Sequence, residues 1–482
     1  MTRPNILWIC TDQQRFDTLG CYGNPWVTTP HLDALAAGGV RFDRAFCQNP
    51  LCTPSRASFL TGRYPRTTRA RQNGQSIPDD EVLVTRVLAD AGTYCGLAGK
   101  LHLSACAPAI CPTRERRIDD GYREFHWSHH PDEDWPTADY NRWLRDRGVR
   151  YARIPFPGSP HVQTSVAAEN HQTTWCTDEA IAFIEARSGA EAPWLFSLNC
   201  FDPHHPFDPP EAFLAPYLDR LDEIPLPHYT PGELDDKPSV QRVDHQGAYG
   251  GTFGFYPYSQ MGPKDHRLIR AAYWAMVDLI DANVGRLIAA LDRTGQRERT
   301  LVIFMSDHGE MLGDHGFYLK GPYFYEPAVR VPLIASYPGV IPPGRETSAL
   351  VELVDLAPTL LEASGLPPHP GMQGRSLWPL LTGAKPDPHH RDDVYSEHYG
   401  TIHRHPGQGR AYATMLRTAR YKLVAVHSAE PGELYDLRND PTETTNLWHD
   451  PGHAAIKLEL YRRLCDRMAW TVDPLPIREA NY

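Results

Sequence analysis

Four short apolar runs constrain this chain most, because each ends in a cluster of polar and charged side chains. Asn5–Cys10 leads into Asp12-Gln13, Tyr94–Ala98 into Lys100 and His102, Trp194–Asn199 into Asp202 and His204, and Leu301–Met305 into Asp307-His308. Short runs that are apolar throughout suit strands covered on both faces. Helix-like segments lie between them at His31–Gly38, Val82–Ala91, Thr177–Ala186 and His266–Leu291, and beyond them come a further strand at Val331–Ser336 and a helix at Leu356–Ala363. The His266–Leu291 segment carries apolar residues at three- and four-residue spacing, the mark of a long amphipathic helix. This alternation predicts an α/β sandwich whose large central sheet is mainly parallel and flanked by helices. In open sheets of that kind ligands bind beyond the carboxyl ends of the strands, so the four polar clusters are expected to converge on one site.

With 482 residues the chain can hold one large domain and a smaller one. The texture changes near Pro386–His390. Beyond it, short strands at Val394–His398, Ala413–Leu416, Tyr421–Val426 and Glu433–Leu437, followed by a helix at Ala455–Met468, predict a small antiparallel subdomain. The division expected is therefore 1–385 and 386–482. Segments 104–170 and 208–264 show no clear period and read as loop-like, the first as a long insertion near the site. The tail Trp470–Tyr482 is extended and partly apolar, and it is expected to pack on a neighbouring subunit of a homo-oligomer.

The net charge of -11, with both signs mixed and no basic run, argues against nucleic acid as a partner. No apolar run approaches a membrane span, and the first one is too short for a signal-peptide core, so no membrane partner and cytoplasmic residence are expected. The 10 cysteines follow neither a disulfide framework nor a zinc pattern.

The stretch Pro50-Leu51-Cys52-Thr53-Pro54-Ser55-Arg56, continuing through Leu60-Thr61-Gly62-Arg63, reads as a helix start. Free N–H groups and the positive dipole end suit an anion there, and Arg56 adds a fixed charge with bidentate reach. A buried thiol ahead of an ordinary helix would look similar. Asp12, Gln13 and Asp307 offer oxygen ligands and His308 an imidazole. Such a set suits Ca²⁺, Mg²⁺ or Mn²⁺ better than Zn²⁺, and the histidine tilts it toward Mn²⁺.

The Cys52 run resembles the sulfatase signature, Cys-x-Pro-Ser-Arg followed by Leu-Thr-Gly, within the alkaline phosphatase superfamily. Lys100 and His102 stand in a similar Gly-Lys-x-His-Leu run, His204 in a His-x-Pro run, and Lys320 follows Asp307 at the family's distance. Val354–Leu360, Glu433–Leu437, Asp440-Pro441 and Asn446-Leu447 extend the resemblance to about residue 450. It implies an alkaline-phosphatase-like fold and hydrolysis of sulfate monoesters, as in arylsulfatases. It also implies that Cys52 is oxidised to formylglycine by a formylglycine-generating enzyme. Asp12, Gln13, Asp307 and His308, together with residue 52, would hold one divalent metal ion, Ca²⁺ or Mn²⁺.

By the same resemblance Arg56 holds the aldehyde hydrate and His102 is the base of the second step. Lys100, Lys320 and His204 grip the sulfate oxygens, and His204 or Lys320 protonates the leaving oxygen. His205 is the adjacent competitor for the His204 role. Asp-Gln and Asp-His in the metal set, with Arg71-Gln72-Asn73, are similar to phosphonate monoester hydrolases, in which case Asn73 contacts substrate. Thr53, Ser55, Lys100 and His102 side with the sulfatases. The reading is thus a sulfatase with side activity on phosphodiesters and phosphonates. Its rivals are a hydrolase that prefers those esters and a family member that binds sulfated ligands without turning them over.

Overall fold

Alternate side chains of the strand Asn5–Thr11 (β1) enter two different cores. Ile6, Trp8 and Cys10 pack into one, Leu7 and Ile9 into the other. A strand whose two faces are both apolar belongs between two layers of helices. The structure is a computed structural model that describes residues 3–131, 135, 137–251, 254–384, 389–405, 409–427 and 431–480, with backbone alone over 401–405 and 409–411.

The central sheet adds Val40–Phe42 (β2), Tyr94–Gly99 (β3), Tyr122–Trp127 (β4), Trp194–Asn199 (β5), Thr300–Ser306 (β6), Leu333–Ser336 (β7) and Arg345–Thr347 (β8). Their order is β8-β2-β7-β6-β1-β5-β3-β4. The five strands from β6 to β4 are parallel, and β7 runs against both its neighbours. Ile6 stands between Leu195 and Leu301, which brings the ends of β1, β5 and β6 level with one another. The helices Pro30–Ala37 (α1), Gln172–Ala186 (α3) and Pro263–Arg293 (α4) cover one face, with Leu35, Phe183 and Leu287 in the core that holds Leu7. Cys52–Thr61 (α2) and Leu356–Ala363 cover the other, with Phe59 and Leu360 beside Trp8.

Three expectations need correction. Segment 104–170 is no plain loop, since it contributes the edge strand β4 and a helix at Asp139–Asp146. Arg123, Glu124 and His126 break the apolar pattern of β4 because an edge strand keeps one side wet. Segment 208–264 holds helices at Glu211–Leu218 and Ser239–Gln246, each of 8 residues, too short for a period to stand out. Pro332 splits the strand expected at Val331–Ser336: Arg330–Val331 pairs with Ala45 and Phe46 in a small separate sheet, and only Leu333–Ser336 joins the main one. Proline has no N–H for a ladder and so marks the crossover.

Beyond residue 388 the strands Asp393–His405 (β9), Gly409–Thr418 (β10), Tyr421–Val426 (β11) and Glu433–Asp436 (β12) pair consecutively and antiparallel. The helix Ala454–Trp470 (α5) lays Leu460 and Leu464 on Tyr395, Leu416, Leu423 and Leu434. The expected boundary at 385/386 lies outside the described residues. The start of the tail holds to its own chain, with Thr67 Oγ1 donating to the Thr471 carbonyl and Arg63 paired to Asp473 at 2.8 Å. Val472, Leu475 and Ile477 are exposed. Among the described residues no helix is long and apolar enough to cross a membrane.

Candidate functional site

The carboxyl ends of β1, β3, β5 and β6 and the first turn of α2 meet at Cys52. All residues of α2 are buried, and Cys52 is the first of them. Its Sγ lies 3.2 Å from His308 Nε2, 3.4 Å from Lys320 Nζ, 3.6 Å from Lys100 Nζ and 3.6 Å from Asp12 Oδ1. The Leu51 N-cap supplies no side-chain acceptor. Instead the partly exposed Asn73 accepts from the Thr53 N–H at 3.0 Å, a capping contact made from a loop.

Arg56, one helical turn on, folds back over the strand ends. Its Nε donates to Asp307 Oδ2 and one terminal nitrogen to the Lys100 carbonyl, both at 2.8 Å, while the other lies 3.5 Å from Asp12 Oδ2. Lys100 Nζ pairs with that same Asp12 oxygen. Lys100 reaches the centre because Gly99 turns the chain at φ +103°, where a Cβ would come within 1.9 Å of the Asn199 carbonyl oxygen. Asp307 Oδ1 accepts from the N–H groups of Gln13 at 3.0 Å and His308 at 2.9 Å. His308 Nδ1 donates to the Gly309 carbonyl at 2.9 Å, which makes Nε2 the ring nitrogen that faces Cys52.

One ligand atom each from Asp12, Cys52, Asp307 and His308 lie within 4.8 Å of one another, all buried. Two carboxylates and a fixed imidazole nitrogen fit an oxygen-preferring divalent cation. Gln13 reaches the same centre, its amide oxygen accepting from Lys320 and its Nε2 donating to Glu310.

The electrostatics are those of an anion site. Arg56, Lys100 and Lys320 face Asp12 and Asp307, three fixed cations against two carboxylates. Burial and Asp12 act to raise the Cys52 thiol, but Lys100, Lys320 and His308 outweigh them and bring it down to about 6. Burial likewise opposes ionisation of Asp12, and Lys100 and Arg56 overcome it to hold that carboxyl well below its usual range. Burial holds His102 and His204 well below the ordinary histidine value, with Lys100 adding to the first and Lys320 to the second, so both imidazoles are neutral near pH 7.

His204 and His205 both stand at this end of the sheet, stacked with ring centroids 4.1 Å apart. His204 Nδ1 donates to the His205 carbonyl at 2.5 Å, and His205 Nδ1 lies 3.3 Å from Gln13 Nε2. Two carboxylates escaped sequence reasoning. Glu310 accepts from the N–H groups of Leu312 at 2.9 Å and Leu319 at 2.5 Å, which closes the loop that presents Lys320. Glu115 accepts from the N–H groups of His102 at 2.8 Å and Leu103 at 3.0 Å and from Trp127 Nε1 at 3.1 Å. It holds His102 in its left-handed conformation, φ +56°. Glu310 stands three residues after Asp307, but nothing local in the sequence signals what either acid binds.

A Sulfatase family model matches residues 4–366, and a model of the N-sulphoglucosamine sulphohydrolase C-terminal region matches 313–469. The chain is 28% identical to the arylsulfatase of Clostridium perfringens over 92% of its own length and 90% of that protein's. It is 30% identical to arylsulfatase A of Homo sapiens, over 92% of this chain and 83% of the human one. Among solved structures it superposes on a phosphonate monoester hydrolase from Silicibacter pomeroyi with a TM-score of 0.82 at 29% identity, covering 98% of this chain and 96% of that one.

Proposed function

Because the chain belongs to the sulfatase family and is a sulfuric ester hydrolase, we propose that it cleaves small sulfate monoesters with formylglycine formed from Cys52. The observation that carries this reading is the placement of Cys52 at a buried helix start, touched by His308, Lys320, Lys100 and Asp12 at once. A thiol needs none of that company. The hydrated aldehyde supplies two hydroxyls on one carbon, one to attack sulfur and one whose deprotonation releases sulfate. Asp12, Gln13, Asp307 and His308 would hold a divalent cation, calcium or manganese, which neutralises ester oxygens and acidifies the attacking hydroxyl.

The chain's own residues do the rest. Arg56, locked between Asp307 and Asp12, orients residue 52. Lys100 and Lys320 bind the sulfate oxygens, where charge builds as sulfur is attacked. His102, buried and neutral, takes the proton whose removal frees sulfate. His204 directs its Nδ1 proton to the His205 carbonyl, and burial disfavours its charged form, so its Nε2 holds no proton to give the leaving oxygen. Lys320, an ammonium at the centre, is the group that protonates the leaving oxygen.

A second reading, hydrolysis of phosphonate monoesters and phosphodiesters, draws support from the Gln13 and His308 pairing and from the likeness to a phosphonate monoester hydrolase. Those esters are monoanions like a sulfate monoester, so three cations against two carboxylates do not tell them apart. Turnover of an aryl sulfate and an aryl phosphonate monoester at one fixed metal concentration separates the readings. We expect a higher kcat/KM for the sulfate, and a large preference for the phosphonate reverses the order. Mass analysis should find the Cys52 peptide lighter than its thiol form, sulfur and two hydrogens exchanged for one oxygen. A fully active protein with an intact thiol overturns the mechanism.

A further inference from the structure

A second set of metal-ligand side chains surrounds His102, and the proposed mechanism leaves most of it unused. One ligand atom each from His102, Cys106 and His129 lie within 4.8 Å of one another. The two imidazoles meet edge to face, ring centroids 4.4 Å apart. His102 is 6% and His129 4% exposed, yet His102 Nδ1 and both ring nitrogens of His129 have no hydrogen-bond partner among the described residues. Buried polar atoms are nearly always paired, so three orphaned nitrogens on two rings clustered with a thiol call for a ligand.

The surroundings suit a cation. Glu115 Oε2 lies 3.8 Å from Cys106 Sγ, and the same carboxylate ties the backbone of His102 and Leu103 to Trp127, two residues before His129. Glu115 therefore fixes both halves of the cluster and adds negative charge beside it, the support that metal-binding imidazoles and thiolates commonly receive. We propose that His102 Nδ1, Cys106 Sγ and a ring nitrogen of His129 form a second metal site, selective for zinc-like cations. Two imidazoles and a thiolate are a donor set for borderline-soft ions, unlike the carboxylate centre at Asp12 and Asp307. The sequence spacing hid it, because His129 comes from the end of a strand 23 residues beyond Cys106.

Binding balances simply. Burial keeps both imidazoles neutral, so each lends a lone pair. Burial and Glu115 hold the Cys106 thiol protonated, and the incoming ion displaces that one proton to solvent. An imidazole bound through Nδ1 carries its proton on Nε2 and can no longer accept one. Zinc at this site would thus switch off His102 as a base and inhibit hydrolysis. The inhibition rests on the role proposed for His102; the binding does not.

The test uses the full chain with its carboxylate centre saturated by calcium, titrated with cobalt(II) as an optical probe and with zinc for stoichiometry and inhibition. Wild-type protein should take up a further equivalent and show a thiolate-to-cobalt charge-transfer band. Cys106→Ser should abolish the band and weaken zinc retention by about tenfold or more, and His129→Ala should weaken it similarly. Both variants should keep wild-type turnover in metal-stripped, calcium-supplemented buffer and resist zinc. Cys52→Ala should keep the band, which separates it from any thiolate at the carboxylate centre. Failure to bind a further equivalent, or a band that survives Cys106→Ser, overturns the site. Binding without inhibition upholds the site and overturns His102 as the base.

Discussion

Two regions of this molecule bury charge, and they do so to opposite ends. Around Cys52, Arg56 is tied to the carboxylates Asp12 and Asp307, while Lys100, Lys320 and the His308 ring converge on one sulfur. Under the small sheet, Lys422 pairs with Glu326 at 3.0 Å and Glu443 at 2.5 Å and donates to the Phe324 carbonyl at 2.7 Å, while Arg417 pairs with Glu326 at 3.3 Å. There Lys422, Arg417 and, at 3.7 Å, Arg330 meet Glu326 and Glu443, and each cation has a carboxylate for its partner. Buried charge as such is therefore no sign of a site. The sign is convergence, with Lys100, Lys320 and His308 all turned on one side chain, Cys52, that is no carboxylate.

The sharpest attempt to break this contrast is Cys52→Ala. If the first cluster exists for chemistry, aryl sulfate turnover should fall by about 10⁴-fold or more while the fold survives; unchanged kcat/KM would leave a binding protein. The mirror experiment is Lys422→Met, which leaves Glu443 buried without its cation and should cost about 3–5 kcal/mol in denaturant unfolding, with kcat per folded molecule preserved. Its acid limb carries the same information. Burial acts to raise Glu326, but Arg417 and Lys422 prevail and hold it below the ordinary value of 4.5. A depressed carboxylate stabilises the fold fully above that value and loses the effect as pH falls below it. Acid unfolding of Lys422→Met should therefore show a shallower loss of stability below about pH 4.5 than wild type.

Lys320→Met reads the convergence directly. Removing this cation should lower kcat/KM by about 10²–10³-fold without lowering the Tm, since Lys320 bonds the neutral Gln13 amide and its loss strands no ion-paired carboxylate. A Tm drop as large as that of Lys422→Met would erase the distinction. The smallest effect belongs to Asn73→Ala. Its contact with the Thr53 N–H assigns it to the helix start, so a loss of about 0.5–2 kcal/mol in stability is expected. A raised KM with unchanged stability would return Asn73 to the substrate.

The parts of this molecule legible in its sequence were those set by local pattern. Asp12, Lys100 and Asp307 each follow a strand directly and His204 follows within five residues, so the strands place them, and the parallel order of β6-β1-β5-β3 brings them together. The edge strand β4 was hidden because its wet side interrupts the apolar pattern that marks β1. Glu310 and Glu115 were hidden for another reason. They bind backbone N–H groups, which every residue has, so no residue type on the other side announces the contact. Lys320 lies in a loop whose shape depends on Glu310, and only the family resemblance singled it out. Pro332 could have been read as the end of one strand and the start of another.

Complete burial of α2 bears on how the active protein is made. If Cys52 is oxidised by another enzyme, that enzyme needs the segment from Cys52 to Arg56 in the open, and in the folded chain none of it is accessible. Oxidation and folding then compete for each newly synthesised chain, and the winner is decided once. A chain that folds first is sealed with its thiol and stays inert whatever is added later. The specific activity of a preparation would accordingly record how fast the cell modified the segment relative to how fast the sheet closed over it.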